Sequence, residues 1–182
     1  MSGDGGFPLL GRRFVARGAF ISLERSYHLG DGTRWTARDI VHHPGSVAVI
    51  PWDGRRLHLV RQYRAAVGSP LLELPAGKRD VPGEDPATTA CRECVEEVGL
   101  LPGRVTLLHE AFTSPGFTDE MTHVFLAEDL ERVPADPQGI EEAAATTEAL
   151  TLEEALAAVT AGEIRDAKTI LGIYALARRV LR

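Results

Sequence analysis

The stretch GEDPATTACRECVEEVGL, residues 83–100, predicts one short helix whose two ends are both marked in the sequence. Asp85 is a good N-cap residue and Pro86 suits the first helical position, where a missing backbone N–H costs nothing. Gly99 is a natural helix stop because glycine adopts the left-handed conformation easily. We therefore expect a helix over residues 86–98.

This helix should have two chemically different faces. At about 100° per residue, one face is apolar, and it contains Ala87, Cys91, Cys94, Val95 and Val98. Glu93, Glu96 and Glu97 are neighbours on the opposite side, where their like charges repel each other. A hard cation such as Mg²⁺ or Mn²⁺ would relieve that repulsion, since these ions prefer oxygen ligands. The alternative is a solvated acidic helix face.

Strands and further helices surround this segment. Strands are predicted at residues 46–52, 57–64, 71–77, 105–112 and 121–128, and helices at 152–160 and 167–181. The turn Asp53-Gly54 pairs the first two strands as a hairpin, and the loop TSPGFTDE, residues 113–120, separates the last two. Because strands and helices do not alternate strictly, the pattern favours an α+β fold with a mixed sheet.

The N-terminal residues predict a small separate β unit. Two β-prone runs, 14–29 and 33–42, flank Gly30-Asp31-Gly32, which indicates a hairpin. A two-stranded hairpin is rarely stable alone, so it must pack on the main domain or on a second subunit. We therefore divide the chain into residues 1–44, a β-hairpin subdomain, and residues 45–182, the main domain.

Composition excludes several classes of function. The chain has 182 residues, 44% hydrophobic and 25% charged, with a formal net charge of -6 and no run of Lys and Arg. A nucleic-acid partner is therefore not expected. No apolar stretch approaches the roughly 18 residues of a membrane span, and no signal peptide is evident. We expect a cytoplasmic protein without a membrane partner.

The two cysteines, Cys91 and Cys94, form a C-x-x-C pair. Such a pair occurs in redox dithiols and in zinc sites. The chain has no second pair, and both cysteines fall on the apolar face of the predicted helix. We interpret them as small buried hydrophobic residues.

The residues around the helix resemble the Nudix box, G-x5-E-x7-R-E-U-x-E-E-x-G-U, where U is bulky and apolar. The matching positions are Gly77, Glu84, Arg92, Glu93, Glu96, Glu97, Gly99 and Leu100, with Cys94 at the first U. One departure is that six residues, not five, separate Gly77 from Glu84; a surface loop tolerates such an insertion. The resemblance implies a Nudix-type α/β/α sandwich.

The resemblance also implies roles for individual residues. Glu93 and Glu97 would be the main ligands of Mg²⁺ or Mn²⁺, and Glu96 would bind a second ion or orient the first ligands. The backbone carbonyl of Ala76 would also touch metal. Arg92 and Glu84 would pair to hold the loop against the helix, with Gly77 and Gly99 structural. Bound cations would neutralise phosphate charge and activate a water for attack on a pyrophosphate.

A general base must accept a proton in this reaction. Family resemblance indicates an acidic residue in a loop after the last core strands, and Glu142 occupies that position. Its neighbour Glu141 and the loop residue Glu120 remain alternatives, the latter also as a substrate-binding or metal-shell residue.

The substrate is indicated further along the chain. Pro115 stands fifteen positions after Leu100 and is followed by Gly116, which resembles the ADP-ribose pyrophosphatase subfamily, as do VRQYR, LLELPAGKRDVPGE and GEIRDAKT. The resemblance implies a nucleotide-sugar substrate, ADP-ribose, cleaved to AMP and ribose 5-phosphate. It also implies substrate contacts by Arg38 and Arg64, while Trp35 could stack on adenine.

The resemblance further implies a homodimer with N-terminal strands exchanged between subunits, although the hairpin could equally pack within its own chain. Two other functions stay open. One is a Nudix hydrolase for another NDP-sugar, a dinucleoside polyphosphate or a damaged nucleotide. The other is a non-catalytic ADP-ribose sensor, which is disfavoured because the box keeps all its carboxylates.

Overall fold

The computed structural model describes residues 7–30, 34–138 and 143–181. Its internal contacts divide the chain into two compact units. The first contains Met1–Gly45 together with Phe112–Met121, and the second contains Ser46–Ala111 together with Thr122–Arg182. The loop between the two predicted strands at 105–112 and 121–128 therefore belongs to the same unit as the N-terminal residues.

The N-terminal part forms a three-stranded antiparallel sheet in the order β1-β2-β3. Its strands are β1 (Leu9–Arg17), β2 (Ser22–Gly30) and β3 (Arg34–His42). The sequence predicted a hairpin, with residues 14–29 as a single run. That run is instead broken by a turn in which the N–H of Gly18 donates to the carbonyl of Ile21 at 2.8 Å, so β1 folds back onto β2. Asp31 and Gly32 of the predicted hairpin turn lie outside the described residues.

Among the described residues, the remaining elements are four strands, one helix, three strands and two helices, in that order along the chain. They are β4 (Ser46–Pro51), β5 (Arg56–Arg64), β6 (Ser69–Glu73), β7 (Ala76–Lys78), α1 (Pro86–Val98), β8 (Leu100–Phe112), β9 (Met121–Arg132), β10 (Thr146–Thr151), α2 (Leu152–Thr160) and α3 (Ala167–Val180). The predicted strand at 71–77 is split into β6 and β7 at Leu74-Pro75, and β10 was not predicted.

Strand pairing corrects the predicted hairpin across Asp53-Gly54. Strand β4 lies in a four-stranded sheet of order β7-β4-β9-β8, antiparallel to β7 and parallel to β9. Strand β5 lies in another sheet, of order β10-β5-β6. The two predicted partners share only an isolated bridge from Trp52 to Leu57. The physical reason is that both edges of the buried strand β4 are already hydrogen-bonded to other strands.

The core lies on both sides of β4, because its side chains alternate between two clusters. Val47 and Val49 pack in a cluster with residues of α1. Ala48 and Ile50 pack in a larger cluster with residues of α2 and α3. Helices thus cover both faces of a mixed sheet, which confirms the predicted α+β sandwich. In the described part of the chain, no helix has the length and apolar character needed to cross a membrane.

Helix α1 has the ends that its capping residues predicted. The side chain of Asp85 accepts a hydrogen bond from the N–H of Ala87 at 2.7 Å, and Gly99 adopts the left-handed conformation with φ of 64°. Its buried side differs slightly from the prediction. Ala90 and Cys94 are buried in the core, whereas Cys91 and Val95 are half-buried. The buried stripe is therefore rotated by part of a turn toward the acidic residues.

Candidate functional site

The first acidic residue of the predicted ridge, Glu93, is buried against the glycine of the Pro-Ala-Gly turn. It is only 6% exposed. A Cβ atom built on Gly77 would lie 1.9 Å from Oε1 of Glu93, which is far too close for two non-bonded atoms. A glycine at residue 77 therefore creates the space that the Glu93 carboxylate fills.

Glu97, the next residue of the ridge on the same side, contacts the same turn. Its Oε2 accepts a hydrogen bond from the backbone N–H of Ala76 at 3.0 Å. The residues Ala76 and Gly77 begin β7, which pairs with β4 in the sheet that α1 covers. The tertiary structure therefore brings two predicted metal ligands on α1 to a single two-residue stretch of backbone, which includes the third, Ala76.

Arg92 supplies the positive charge beside this ridge. Its Nη1 lies 2.8 Å from Oε1 of Glu93 and 2.8 Å from Oε2 of Glu96, and its Nη2 lies 3.6 Å from Oε2 of Glu84. Partial burial lowers the pKa of Arg92, but the nearby charges of these three carboxylates outweigh it and the pKa is raised. Glu84 is held in turn by Thr89, whose hydroxyl donates to Oε2 at 2.7 Å.

In the structure, the carboxylates of the ridge are engaged by other groups of the protein. Among the described residues, no set of three His, Cys, Asp or Glu side chains is arranged to hold a metal ion. Arg92 lies between Glu93 and Glu96, and Glu97 accepts from backbone. The atoms of the ridge that could bind a metal ion are carboxylate oxygens, and hard divalent cations prefer oxygen ligands.

A second ionic network near the turn was missed by the sequence analysis. Glu73, at the end of β6, is 1% exposed and accepts two hydrogen bonds from Arg64, both at 2.8 Å. Lys168 in α3 also donates to Glu73 and to Asp166. Only Arg64 of this group was predicted as a site residue. The segments LLELPAG and GEIRDAKT contain the other three, but nothing local in either segment indicates that they meet.

The remaining predicted substrate residues lie in the first unit. Arg38, Pro115 and Gly116 line one cavity of about 530 Å³, whose other lining residues are His28, Ile40, Phe112, Phe117, Thr118 and Asp119. Trp35 does not line it: the indole is 66% exposed and its ring centroid lies 6.0 Å from that of Tyr27.

The predicted general bases are only partly described. Oε2 of Glu120 accepts a hydrogen bond from the hydroxyl of Thr113 at 2.7 Å, within the first unit. Glu142 and its alternative Glu141 lie outside the described residues.

Comparisons with known proteins identify the family to which this chain is similar. Residues 42–171 match the model of the NUDIX domain. The chain is 41% identical over 140 residues to an ADP-ribose pyrophosphatase of Bacillus subtilis, covering 76% of this chain and 75% of the relative. It is 37% identical over 171 residues to an ADP-ribose pyrophosphatase of Mycobacterium tuberculosis, covering 93% and 83%.

A solved structure shows the same fold. The crystal structure of an ADP compounds hydrolase superposes with a TM-score of 0.85 at 19% identity, and covers 96% of this chain and 94% of that one. At this low identity the likeness concerns the fold alone. Because the domain model spans well over half of the chain and two relatives share more than a third of their aligned residues with it, the chain belongs to the Nudix family.

Proposed function

We propose that this protein hydrolyses the pyrophosphate bond of ADP-ribose and releases AMP and ribose 5-phosphate. The observation that carries the proposal is the convergence of Glu93 and Glu97 on the Ala76-Gly77 backbone. Through this contact, the acidic ridge of the Nudix box lies next to the backbone of the Pro-Ala-Gly turn. Two relatives named ADP-ribose pyrophosphatase, similar over most of the chain, support the choice of substrate.

Nudix hydrolases generally use divalent metal ions, and the carboxylates of the acidic ridge offer the oxygen ligands that such ions prefer. Glu93, Glu97 and the Ala76 carbonyl would hold Mg²⁺ or Mn²⁺, with Glu96 as a further ligand. Gly77 leaves the room that the Glu93 carboxylate needs. When bound, the cation neutralises phosphate charge and lowers the pKa of an attacking water.

The side chains of the protein supply the other parts of the reaction. Arg64 and Arg38 bind phosphate or ribose oxygens through their planar guanidinium groups. Arg92 stays paired with Glu84 and keeps the loop before α1 against the helix. Glu142 takes the proton of the attacking water, with Glu141 or Glu120 as the alternative base.

We also propose that the protein works in the cytoplasm as a homodimer formed through its N-terminal strands. An acidic net charge of -6 agrees with a small-molecule partner rather than nucleic acid.

The test is the variant Glu97→Gln, assayed with ADP-ribose and Mg²⁺ or Mn²⁺ by quantifying AMP. The amide keeps the size of the side chain and can still accept from Ala76, but it loses the charge that a cation needs. We expect kcat to fall by about 100-fold or more, with an unchanged circular dichroism spectrum. Glu153→Gln, at an exposed glutamate of α2, is the matched control and should keep full activity.

Two outcomes would contradict the proposal separately. Unchanged turnover in Glu97→Gln would remove the metal assignment. If the wild-type protein released no AMP from ADP-ribose, the substrate would be wrong. A panel of other NDP-sugars and dinucleoside polyphosphates would then identify the alternative hydrolase, and ADP-ribose binding without turnover would identify a sensor.

A further inference from the structure

Glu73 is a buried carboxylate with two cationic partners, close in sequence to the candidate metal turn. It ends β6 and is followed by Leu74 and Pro75, which lead directly into Ala76. Its Oε1 accepts from Nε of Arg64 and its Oε2 from Nη2 of Arg64, each at 2.8 Å. Nζ of Lys168 donates to Oε2 as well, at 2.5 Å. The carboxylate thus joins β5, β6 and α3 at one point.

The two parallel hydrogen bonds from Arg64 determine how its guanidinium is oriented. A fork of this kind holds the group in one plane, which a single hydrogen bond would not do. Within the described part of the chain, the third nitrogen, Nη1, donates no hydrogen bond. The side chain of Arg64 is about a third exposed, at 35%. Its cationic group therefore has donors left for a ligand at the surface of the second unit.

Arg64 also lies within the electrostatic reach of the acidic ridge. Its pKa is raised, first by the hydrogen bond to Glu73, while the charges of Glu97 and Asp166 add to the effect. The ridge itself is negative, so a phosphate bound near it would need a cation, and Arg64 is one that the charge of Glu97 reaches.

Stability alone does not explain an ion cluster at this position. Burial raises the pKa of Glu73, but Arg64 and Lys168 outweigh it and hold that pKa below its ordinary value. The carboxylate therefore stays charged although it is only 1% exposed, and buried ion pairs gain little stability over packed hydrophobic residues. The preceding residues of β6, Leu71 and Leu72, show that aliphatic side chains fit this strand. The charged cluster orients Arg64, which an aliphatic core would not do.

We propose that Glu73 is a positioning residue of the hydrolysis. It clamps Nε and Nη2 of Arg64, so that Nη1 is presented to a phosphate oxygen of the nucleotide-sugar beside the acidic ridge. Lys168 is held by Glu73 and Asp166 and supplies the second positive charge of this anion subsite. The inference rests on the proposed pyrophosphatase activity, which it deepens.

The variants Glu73→Asp and Arg64→Lys test the proposal. Glu73→Asp keeps the buried charge but withdraws both oxygens by the length of one methylene, and Arg64→Lys keeps the cation but removes the fork. Each should lower kcat/KM for ADP-ribose by about 10- to 100-fold, the size expected for a misplaced charge-assisted hydrogen bond. The loss should appear mainly in KM, because the candidate metal ligands are unchanged.

The double variant distinguishes positioning from a separate structural effect. If Glu73 acts through Arg64, kcat/KM of the double variant should be close to that of the single variants, and not the product of the two losses. Glu148→Gln is the matched control, since Glu148 pairs with Arg61 of the same strand at a more exposed position. It should leave kcat/KM unchanged.

Each possible result bears on the proposal. Unchanged kcat/KM in either single variant overturns it, as do fully multiplicative losses. If Glu73→Asp does not fold, unchanged kcat/KM in Arg64→Lys still overturns the proposal, because Arg64 is partly exposed and its lysine keeps the charge opposite Glu73. Failure of the wild-type protein to hydrolyse ADP-ribose would overturn the proposed function itself, which is a separate outcome.

Discussion

Gly77 and Glu93 pack closely against each other in the candidate site. A Cβ atom at residue 77 would lie 1.9 Å from Oε1 and 2.0 Å from Cδ of Glu93. The atoms that it would meet belong to the far end of a side chain, which can rotate away. A larger residue should therefore displace the Glu93 carboxylate more than it destabilises the fold.

Gly77→Ala should accordingly lower kcat by about 10- to 100-fold, as expected for a displaced catalytic ligand. The free energy of unfolding should change by less than about 1 kcal/mol. Steady-state kinetics and urea unfolding measure the two effects. Gly172→Ala gives the comparison for stability, because its Cβ would lie 2.5 Å from the buried Leu74. The overpacked core should lower the free energy of unfolding by about 1–3 kcal/mol. A loss of stability in Gly77→Ala as large as this would contradict the explanation.

Cys94 should be chemically inert in the folded protein. Burial, with smaller contributions from Cys91 and Glu97, raises the pKa of its thiol to about 12, and burial also raises that of Cys91. Since only the thiolate is nucleophilic, iodoacetamide at pH 8 should leave Cys94 unmodified in the native protein and modify it in urea. Mass spectrometry of peptides measures this. Rapid native alkylation of Cys94 would favour the redox interpretation of the C-x-x-C pair.

At the scale of the element, the C-terminal end of α1 depends on Gly99. Its φ of 64° is left-handed, and a Cβ there would lie 2.7 Å from the carbonyl oxygen of Val133. Gly162 has a similar φ of 75° after α2, but within the described residues no atom outside its chain neighbours lies within 4 Å of its Cβ position. The two glycines therefore share the conformational requirement, and Gly99 alone adds a steric one.

Gly162→Ala should destabilise the protein by about 1–2 kcal/mol, the usual cost of a left-handed residue with a side chain. Gly99→Ala should cost about 1 kcal/mol more, because the backbone of residue 133 must also move. Urea unfolding of both variants gives the difference. Equal losses would show that the contact with Val133 does not limit the end of the helix.

The end of β3 and the loop before β9 are joined by a titrating pair in the first unit. Nδ1 of His42 lies 2.6 Å from Oδ2 of Asp119, and this contact is the main reason that the pKa of His42 is raised. Burial raises the pKa of Asp119, but His42 and the backbone N–H of His43 outweigh it and the pKa is lowered. Glu24 also faces His42 at 3.4 Å.

These directions give the pair a defined pH window. The contribution of His42 is complete below its unfolded pKa of about 6.5 and is lost as pH rises through its folded value. That of Asp119 is present above about pH 3.9 and is lost as pH falls. Asp119→Asn should therefore lower the urea midpoint more at pH 6 than at pH 9. An equal effect at both pH values would contradict the charged pair.

At the scale of the whole molecule, the first unit exposes many large apolar side chains. More than a third of the surface is exposed in each of Phe7, Leu9, Leu10, Phe14, Val15 and Trp35. Exposed apolar side chains in such numbers are typical of an interaction site. We expect a mass near twice the 19.7 kDa of the chain in size-exclusion chromatography with light scattering. Val15→Glu should shift the mass toward one chain, and a monomeric wild-type protein would contradict the proposed homodimer.

The sequence by itself determined the ends of α1 and the acidic ridge on it. Capping by Asp85 and Gly99 and the spacing of the glutamates act within a few residues, so no distant contact was needed to predict them. The Nudix box was recognisable for the same reason.

Only the tertiary structure decided which strands pair and which charges meet. Strand β4 hydrogen-bonds to β9 rather than to β5, although Asp53-Gly54 has the composition of a hairpin turn. Glu73 contacts Lys168 across 95 positions of sequence. Pairings of this kind depend on which apolar faces are buried together, and local sequence does not contain that information. Arg64 was predicted as a site residue from the family resemblance of its segment VRQYR, whereas its contact with Glu73 depends on how β5 pairs with β6 and could not be predicted.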